Sequence, residues 1–168
     1  MALSAAYGGD WVDSPLPVWQ RLARSANQHP AKLALASLHQ PADLYGRKSL
    51  TDDHLQWTYA QLSSATDSFS SGLQAHGLTS ESAIVTFLDN GVEFGLSVWA
   101  AHKLGCPFVP LNPRNLLNAI EARHMLAVAD AAVIIVGSPE SAAAFDKLAY
   151  RSERTLLKIS AGGATLDG

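Results

Sequence analysis

Arg114 is the residue of this sequence best placed to do chemistry. It follows Asn112 and Pro113, just after a short apolar run, Phe108–Val109, that predicts a strand. Ligands of open α/β sheets gather beyond the carboxyl ends of the strands, and a guanidinium binds a phosphate through two donors at once. The position therefore predicts a phosphate contact. The alternative is a solvated arginine near the start of a helix.

Cys106 is the only cysteine of the chain, which excludes an internal disulfide and a cluster of thiolate ligands. To act as a nucleophile it would need a partner such as His102, which stands four residues earlier in an apolar segment. We predict instead that Cys106 is a small core residue beside Gly105 and that His102 is packed in the core.

Other residue types argue against metal, nucleotide and nucleic-acid sites. Six histidines are not expected to surround a metal, and those other than His102 are predicted at the surface or at helix ends: His29, His39, His54, His76, His102 and His124. Four tryptophans are predicted to pack, because no run of Arg or Lys alternates with them: Trp11, Trp19, Trp57 and Trp99. Gly162-Gly163 lacks the hydroxyls and the lysine of a phosphate loop, so a flexible tail is the better interpretation.

Composition predicts one globular domain or part of one, since 48% of the 168 residues are apolar and 16% are charged. We expect a flexible arm over residues 1–15 and an α/β subdomain over residues 16–168. The net charge of −3 is spread along the chain, so nucleic acid is not an expected partner. No apolar run reaches the ~20 residues of a membrane helix, and the N-terminus has no basic segment. We therefore predict a cytoplasmic or otherwise intracellular protein with no membrane span.

The segment Val92–Leu104 is predicted to be a buried helix, because nearly all of its residues are apolar or small. Gly105 and Pro107 should end it. The strand Phe108–Val109 is expected to stop at Pro110, since proline cannot donate to a sheet ladder.

Strands are predicted near Ile84, Phe108, Val133 and Leu156, about every 24 residues, with a helix in each gap. This alternation predicts an α/β fold with a mainly parallel sheet covered by helices on both faces. The later helices are predicted over Leu116–Val128, with Asn115 as its N-cap, and from Pro139 to about Tyr150.

Upstream, a helix over Val18–Asn27 is predicted to turn Val18 and Leu22 inward. Strands Leu33–Leu38 and Leu55–Thr58 flank a long exposed loop. Thr58 and Gln61 form a capping box for a further helix. Its apolar stripe is predicted to consist of Leu62, Ala65, Phe69 and Leu73.

Ten residues of the central stretch resemble the N-x-x-E-F…A-x-x-K-x-G-x-x-x-x-P-L-N-P run of the AMP-forming adenylating enzymes. They are Asn90, Glu93, Phe94, Ala100, Lys103, Gly105, Pro110, Leu111, Asn112 and Pro113. These enzymes are acyl- and aryl-CoA synthetases, adenylation domains of nonribosomal peptide synthetases, and luciferases. The resemblance extends over residues 57–77 and, more faintly, over 18–36 and 120–136. It departs at Glu81-Ser82, where the family has Gly-Asp, and this leaves the geometry of that turn in doubt.

The resemblance implies the first subdomain of a ligase that activates a carboxylic acid as its acyl-adenylate and passes the acyl group to a thiol. ATP, magnesium and coenzyme A would serve the full-length enzyme, and Arg114 is similar to an arginine of aryl-CoA ligases that contacts the nucleotide end of coenzyme A. The family's phosphate loop and catalytic lysine lie further along, so we expect a chain truncated before them, with no catalytic residue, metal site or cofactor of its own.

The expected partners are the remainder of the enzyme or another copy of this chain. An isolated subdomain would leave the buried helix Val92–Leu104 and the outer edge of the sheet uncovered. Because uncovered apolar surface favours association, we expect either the remainder of the enzyme to cover it or the chain to form a homo-oligomer. The alternative function is a non-catalytic adenylation-fold module that serves in dimerisation or docking.

Overall fold

A computed structural model describes residues 16–151 and 157–161 of the chain. The helices are α1 (Val18–Gln28), α2 (Tyr59–Ala75), α3 (Val92–Leu104), α4 (Ala119–Ala129) and α5 (Pro139–Lys147). The strands are β1 (Leu33–Ser37), β2 (Leu55–Thr58), β3 (Ala83–Phe87), β4 (Phe108–Leu111), β5 (Ala131–Val136) and β6 (Leu157–Ser160). The arm predicted at residues 1–15, with Trp11, and the tail with Gly162-Gly163 lie outside the described residues.

The described strands form two separate sheets. Strands β4, β3, β5 and β6 lie side by side in that order, and all three pairings are parallel. Strands β1 and β2 pair antiparallel as a two-stranded hairpin. The predicted α/β class with a parallel, helix-covered sheet is therefore confirmed.

Helices cover both faces of the parallel sheet because its central strands are apolar on both sides. Every residue of β3 and β5 is buried. Val85 and Ile134 pack in one cluster with residues of α4 and α5, whereas Ile84 and Ile135 pack in another with residues of α2 and α3. A third cluster joins the hairpin to α1, α2 and α3. Its buried members are Leu22, Leu55, Trp57, Leu62, Ala65 and Val92.

Local signals set several boundaries as predicted. The Thr58 side chain accepts from the backbone N–H of Gln61 at 3.2 Å, and the Gln61 side chain accepts from the N–H of Thr58 at 2.9 Å, which confirms the capping box. Gly105 ends α3 in the left-handed conformation, with φ of 69°.

Three boundaries differ from the prediction. Strand β4 continues through Pro110, because β4 is an edge strand of the described sheet and proline is tolerated there. Asn118 rather than Asn115 caps α4, since residues Pro113–Leu117 first form a short 3-10 helix. Helix α5 ends at Lys147, before Ala149 adopts φ of 49°.

The burial of helices α1 and α3 also differs in part from the prediction. Leu22 is buried as predicted, but Val18 is 47% exposed because it lies in the first turn of α1. Helix α3 packs on α2, the hairpin and the sheet, and it carries none of the exposed large apolar side chains found in the described residues. The uncovered apolar face expected there is therefore not observed.

Candidate functional site

A cleft of about 490 Å³ lies between α2, α3 and the ends of β5 and β6. Its volume is within the range of small-molecule and cofactor pockets. Most of its wall is apolar and consists of Trp57, Ala65, Phe69, Leu96, Ile135, Ile159 and Ala161. Its polar groups are Tyr45, Arg47, Ser68, Glu93, Ser97 and Ser160.

Arg47 supplies the positive charge of this cleft. Its guanidinium carbon lies 5.6 Å from the centre of the Trp57 ring, within the range of a cation–π contact. The Trp57 ring is buried and belongs to the cluster under the hairpin. Arg47 is thus held by stacking, and no carboxylate among the described residues pairs with it.

Glu93 supplies the negative charge, and two residues of the loop after β1 hold it. The Tyr45 hydroxyl donates to one carboxylate oxygen at 2.6 Å, and the Gln40 side-chain amide donates to the other at 2.7 Å. Burial raises the pKa of the Tyr45 phenol, and the hydrogen bond to Glu93 and the charge of Glu93 raise it further. These donors satisfy Glu93, so it is a structural carboxylate rather than a free acid or base.

Gln40 also caps helix α3. Gly91, the residue at the N-cap, has no side chain, and the backbone N–H of Val92 donates instead to the side-chain oxygen of Gln40 at 2.8 Å. A Cβ at Gly91 would lie 2.9 Å from a Glu93 carboxylate oxygen and 3.1 Å from the Gln40 amide. Glycine at 91 therefore leaves the space in which the loop residue reaches the helix.

Sequence reasoning missed this cap and the tyrosine beside it. Gln40 and Tyr45 stand 53 and 48 residues before Glu93, in a loop without periodicity. The only local signal was the absence of a capping side chain at Gly91, which left the first amides of α3 without a partner.

Arg114 lies where the sequence placed it, directly after β4 and near the carboxyl edge of the sheet. Its backbone N–H donates to the Asn112 side chain at 2.9 Å, while its side chain is exposed and has no partner among the described residues. Strand β4 forms one edge of the described sheet and β6 the other. The structure therefore separates Arg114 from the cleft, and the two do not form one site.

Cys106 and His102 do not form a catalytic pair. Cys106 is buried and its thiol donates to the carbonyl oxygen of Thr79 at 3.2 Å, while burial raises the pKa of that thiol. His102 is exposed, so its predicted place in the core is wrong. Ala100 and Ala101 occupy the side of α3 that packs against the sheet, and His102 faces away from it.

No group of three or more potential metal ligands is found within residues 16–151 and 157–161. Glu121 and His124 do stand at the E-x-x-H spacing of metal-binding helices on α4. The side-chain amide of Asn118 donates to the Glu121 carboxylate at 3.2 Å as part of the α4 cap. The pair therefore has two ligand types but no third.

Each helix in the described part of the chain is too short or too polar to cross a membrane.

Comparisons with known proteins agree on one family. A model described as AMP-binding enzyme matches residues 22–166. The N-terminal domain of FACL13 from Mycobacterium tuberculosis superposes with a TM-score of 0.68 at 25% identity, over 86% of this chain and 34% of that one. An acyl–CoA ligase of Pestalotiopsis microspora is 22% identical over 165 residues, which are 89% of this chain and 28% of the ligase. Nonribosomal peptide synthetase 2 of Cochliobolus heterostrophus is 23% identical over 112 residues, 66% of this chain and 2% of the synthetase.

The chain thus spans about a third or less of each of these proteins. The chain matches the N-terminal domain of FACL13. The family match over residues 22–166 includes the parallel sheet and the Pro110–Pro113 segment.

Proposed function

Because the chain belongs to the AMP-binding enzyme family, we propose that it forms the N-terminal α/β subdomain of an AMP-forming ligase. Such a ligase activates a carboxylic acid as its acyl-adenylate and transfers the acyl group to a thiol. The observation that carries the proposal is the family match over residues 22–166, which includes both sheets and the segment around Arg114. An intracellular location would suit this chemistry.

In the complete enzyme, ATP with magnesium would supply the adenylyl group and coenzyme A the acceptor thiol. The described residues fit one part of this set, since Arg114 offers an exposed, unpaired guanidinium beyond the carboxyl end of β4. A guanidinium there can bind a phosphate of coenzyme A with two donors. The role of this chain would be to build the parallel sheet and to position that arginine.

The cleft supports a further part of the proposal, which is that the remainder of the enzyme packs on the α2 and α3 side of the sheet. Its wall is mainly apolar and includes the half-buried side chains of Phe69, Leu96 and Ile159. The N-terminal domain of FACL13 contains about three times as much polypeptide as the matched portion. A covering segment would remove this apolar wall from water, which stabilises the folded state.

The test is the coding sequence downstream of Gly168, followed by an assay of whatever protein it encodes. An in-frame Ser/Thr/Gly-rich phosphate loop and a later lysine, together with thioester formation from a carboxylic acid, ATP and coenzyme A, are the expected result. A complete downstream region that lacks the loop would contradict the ligase function.

The second candidate is a non-catalytic module of the adenylation fold that docks on a partner or on another copy of itself. A stop codon after Gly168 would favour it. The specific observation in its support is the apolar surface of α4 and of the short 3-10 helix before it, where Leu117 and Ile120 are more than four-fifths exposed.

A further inference from the structure

The cleft between α2, α3 and the strands β5 and β6 holds one positive charge without a counter-charge. The Arg47 guanidinium lies against the buried Trp57 ring, and no carboxylate in the described part of the chain pairs with it. The indole N–H of Trp57 is buried and has no acceptor there either. Because a buried donor without an acceptor destabilises the fold, the cleft lacks an acceptor group, and a negatively charged one suits Arg47 best.

Four other polar residues of the cleft already have partners within the fold. Glu93 accepts from Tyr45 and from the Gln40 side chain. The hydroxyls of Ser68 and Ser97 donate to carbonyl oxygens one turn earlier in their own helices, at 3.0 and 2.7 Å. The cleft therefore combines an apolar wall with unpaired donors and a cation. Its complement is an apolar group next to a carboxylate.

The order of the strands explains why this part of the sheet is open. Helix α3 lies between β3 and β4 in the chain and crosses the sheet in one direction, whereas α4 and α5 lead to β5 and β6 in the opposite direction. Right-handed crossovers therefore place α3 on one face and both α4 and α5 on the other, and the two apolar clusters show this division. On the face of α2 and α3, the cleft is the part in front of β5 and β6.

A simple extension of the sheet would not close this cleft. A further parallel strand beside β6 would continue in the direction of α4 and α5, so a right-handed crossover would put its helix on their face. Polypeptide that closes the cleft is therefore expected from a more distant part of a larger protein. The N-terminal domain of FACL13 contains such further polypeptide, since the part matched by this chain is 34% of it.

We propose that the cleft is the docking site of a segment that lies beyond residue 168 in the full-length protein, and that a carboxylate of this segment pairs with Arg47. The segment places an apolar side chain against Phe69, Leu96 and Ile159. Trp57 holds the guanidinium through the cation–π contact, so the cation is positioned before the segment docks. The inference rests on the proposed function, because it requires the remainder of the ligase.

The first test compares the 168-residue chain with the full-length protein by thiol labelling at residue 68. Ser68 is exposed and lines the cleft, so the Ser68→Cys variant of the 168-residue chain should react rapidly with iodoacetamide. In the full-length protein the docked segment should slow this reaction by about tenfold or more, because labelling then requires a local opening. Mass spectrometry of the labelled peptide measures the rate.

The matched control is Gln74→Cys, at an exposed position of α2 outside the cleft, which should react at similar rates in both proteins. Equal rates at residue 68 in the 168-residue chain and the full-length protein overturn the proposal. Equal slowing at residues 68 and 74 also overturns it, since the covered surface would then not be the cleft.

Arg47→Gln tests the ion pair in the full-length Ser68→Cys protein. Loss of the cation should reduce the protection of residue 68 by about fivefold, as for one partly exposed ion pair. Salt at about 1 M should reduce the protection while Arg47 is present and have little effect in the Arg47→Gln variant, because salt screens the attraction. The control Arg24→Gln removes an exposed arginine of α1 and should leave the protection unchanged. Protection that depends on neither Arg47 nor salt refutes the ion pair.

Carbodiimide crosslinking of the Arg47→Lys variant identifies the carboxylate. The reagent joins the lysine amine to a carboxylate in contact with it and leaves no spacer, and mass spectrometry of the digest identifies both peptides. The expected partner is an aspartate or glutamate beyond residue 168 of the same molecule. A crosslink to Glu93, a crosslink to a second copy, or no crosslink above that of the Arg24→Lys control overturns the proposal.

These outcomes are distinct from those that test the ligase function. A full-length protein that forms no thioester, but protects residue 68 and gives the expected crosslink, contradicts the proposed function alone. An active ligase in which residue 68 is unprotected contradicts the docking inference alone. A coding sequence that ends at Gly168 contradicts both.

Discussion

Gln40 caps the N-terminus of α3 from a distant loop, whereas the usual cap is a serine or aspartate at the N-cap position of the helix itself. Its side-chain oxygen accepts the Val92 N–H and its amide donates to Glu93, while the residue itself is only 6% exposed. A single side chain of a long loop therefore satisfies two groups of a distant helix. The cost of removing it should exceed that of an ordinary surface amide.

We expect Gln40→Ala to lower the free energy of unfolding by about 1–3 kcal/mol, since a buried N–H would lose its only acceptor and Glu93 one of its donors. Urea denaturation followed by tryptophan fluorescence measures the change. The control is Gln74→Ala on the exposed side of α2, which should stay within about 0.5 kcal/mol of wild type. Equal effects of the two substitutions would show that the network does not stabilise the fold.

Arg114→Ala in the complete ligase should raise the apparent KM for coenzyme A, because a charge-assisted contact worth on the order of 1.5–3 kcal/mol is lost. The adenylation half-reaction should be unchanged, since coenzyme A takes no part in it. The measurement pairs pyrophosphate release without coenzyme A with thioester formation in its presence. A parallel fall of both rates, or no change in either, would make Arg114 a structural or idle residue.

At the scale of elements, the sequence predicts the ends of helices correctly where a single residue type determines them. Gly105 ends α3, and Thr58 with Gln61 starts α2, at the predicted positions. The sequence predicts a loop at Pro110, because the residues around it do not show that β4 is an edge strand. That fact depends on the order of strands from distant parts of the chain.

In the candidate site, too, some features follow from local sequence and others depend on distant parts of the chain. The position of Arg114 just after β4 follows from local signals, the short apolar run and the prolines, whereas its role as a phosphate contact stays a prediction. Arg47 over Trp57, and Gln40 at α3, depend on a loop that folds back across the hairpin. No pattern within that loop encodes the contact.

Two glycine substitutions should have opposite effects on stability. Gly105→Ala is expected to cost about 1–2 kcal/mol, because residue 105 has φ of 69°, although a Cβ there would make only an ordinary contact with Ser80 Cβ at 3.7 Å. Gly72→Ala in α2 is expected to add about 0.5–1 kcal/mol, since it has helical geometry and no atom within 4 Å of the new Cβ. Thermal melts of the two variants beside wild type measure both. If both substitutions shifted the melting temperature in the same direction, backbone conformation would not determine their effects on stability.

At the scale of the whole molecule, we expect the 168-residue chain to catalyse no exchange between ATP and pyrophosphate with any carboxylic acid. Within the described residues, no glycine-rich loop and lysine meet at a helix N-terminus, the arrangement that holds a triphosphate. The measurement is radiolabel exchange over a panel of aliphatic and aromatic acids. Exchange reproducibly above a heat-inactivated sample would contradict the prediction and reveal a nucleotide site elsewhere in the chain.

The separation of the hairpin from the parallel sheet has a consequence for hydrogen exchange. The two sheets share no backbone ladder in the described part of the chain, and a two-stranded hairpin is marginal by itself. The amides of β1 and β2 should therefore exchange through a partial opening of the structure. The free energy of that opening should be lower than the free energy of global unfolding, which is required for exchange of the amides of β3 and β5. Gln40→Ala should increase the exchange rates of the amides in β1 and β2 and should leave the ranking of the exchange rates within β3 and β5 unchanged. The hairpin would then detach from α3 and return while the parallel sheet stays folded.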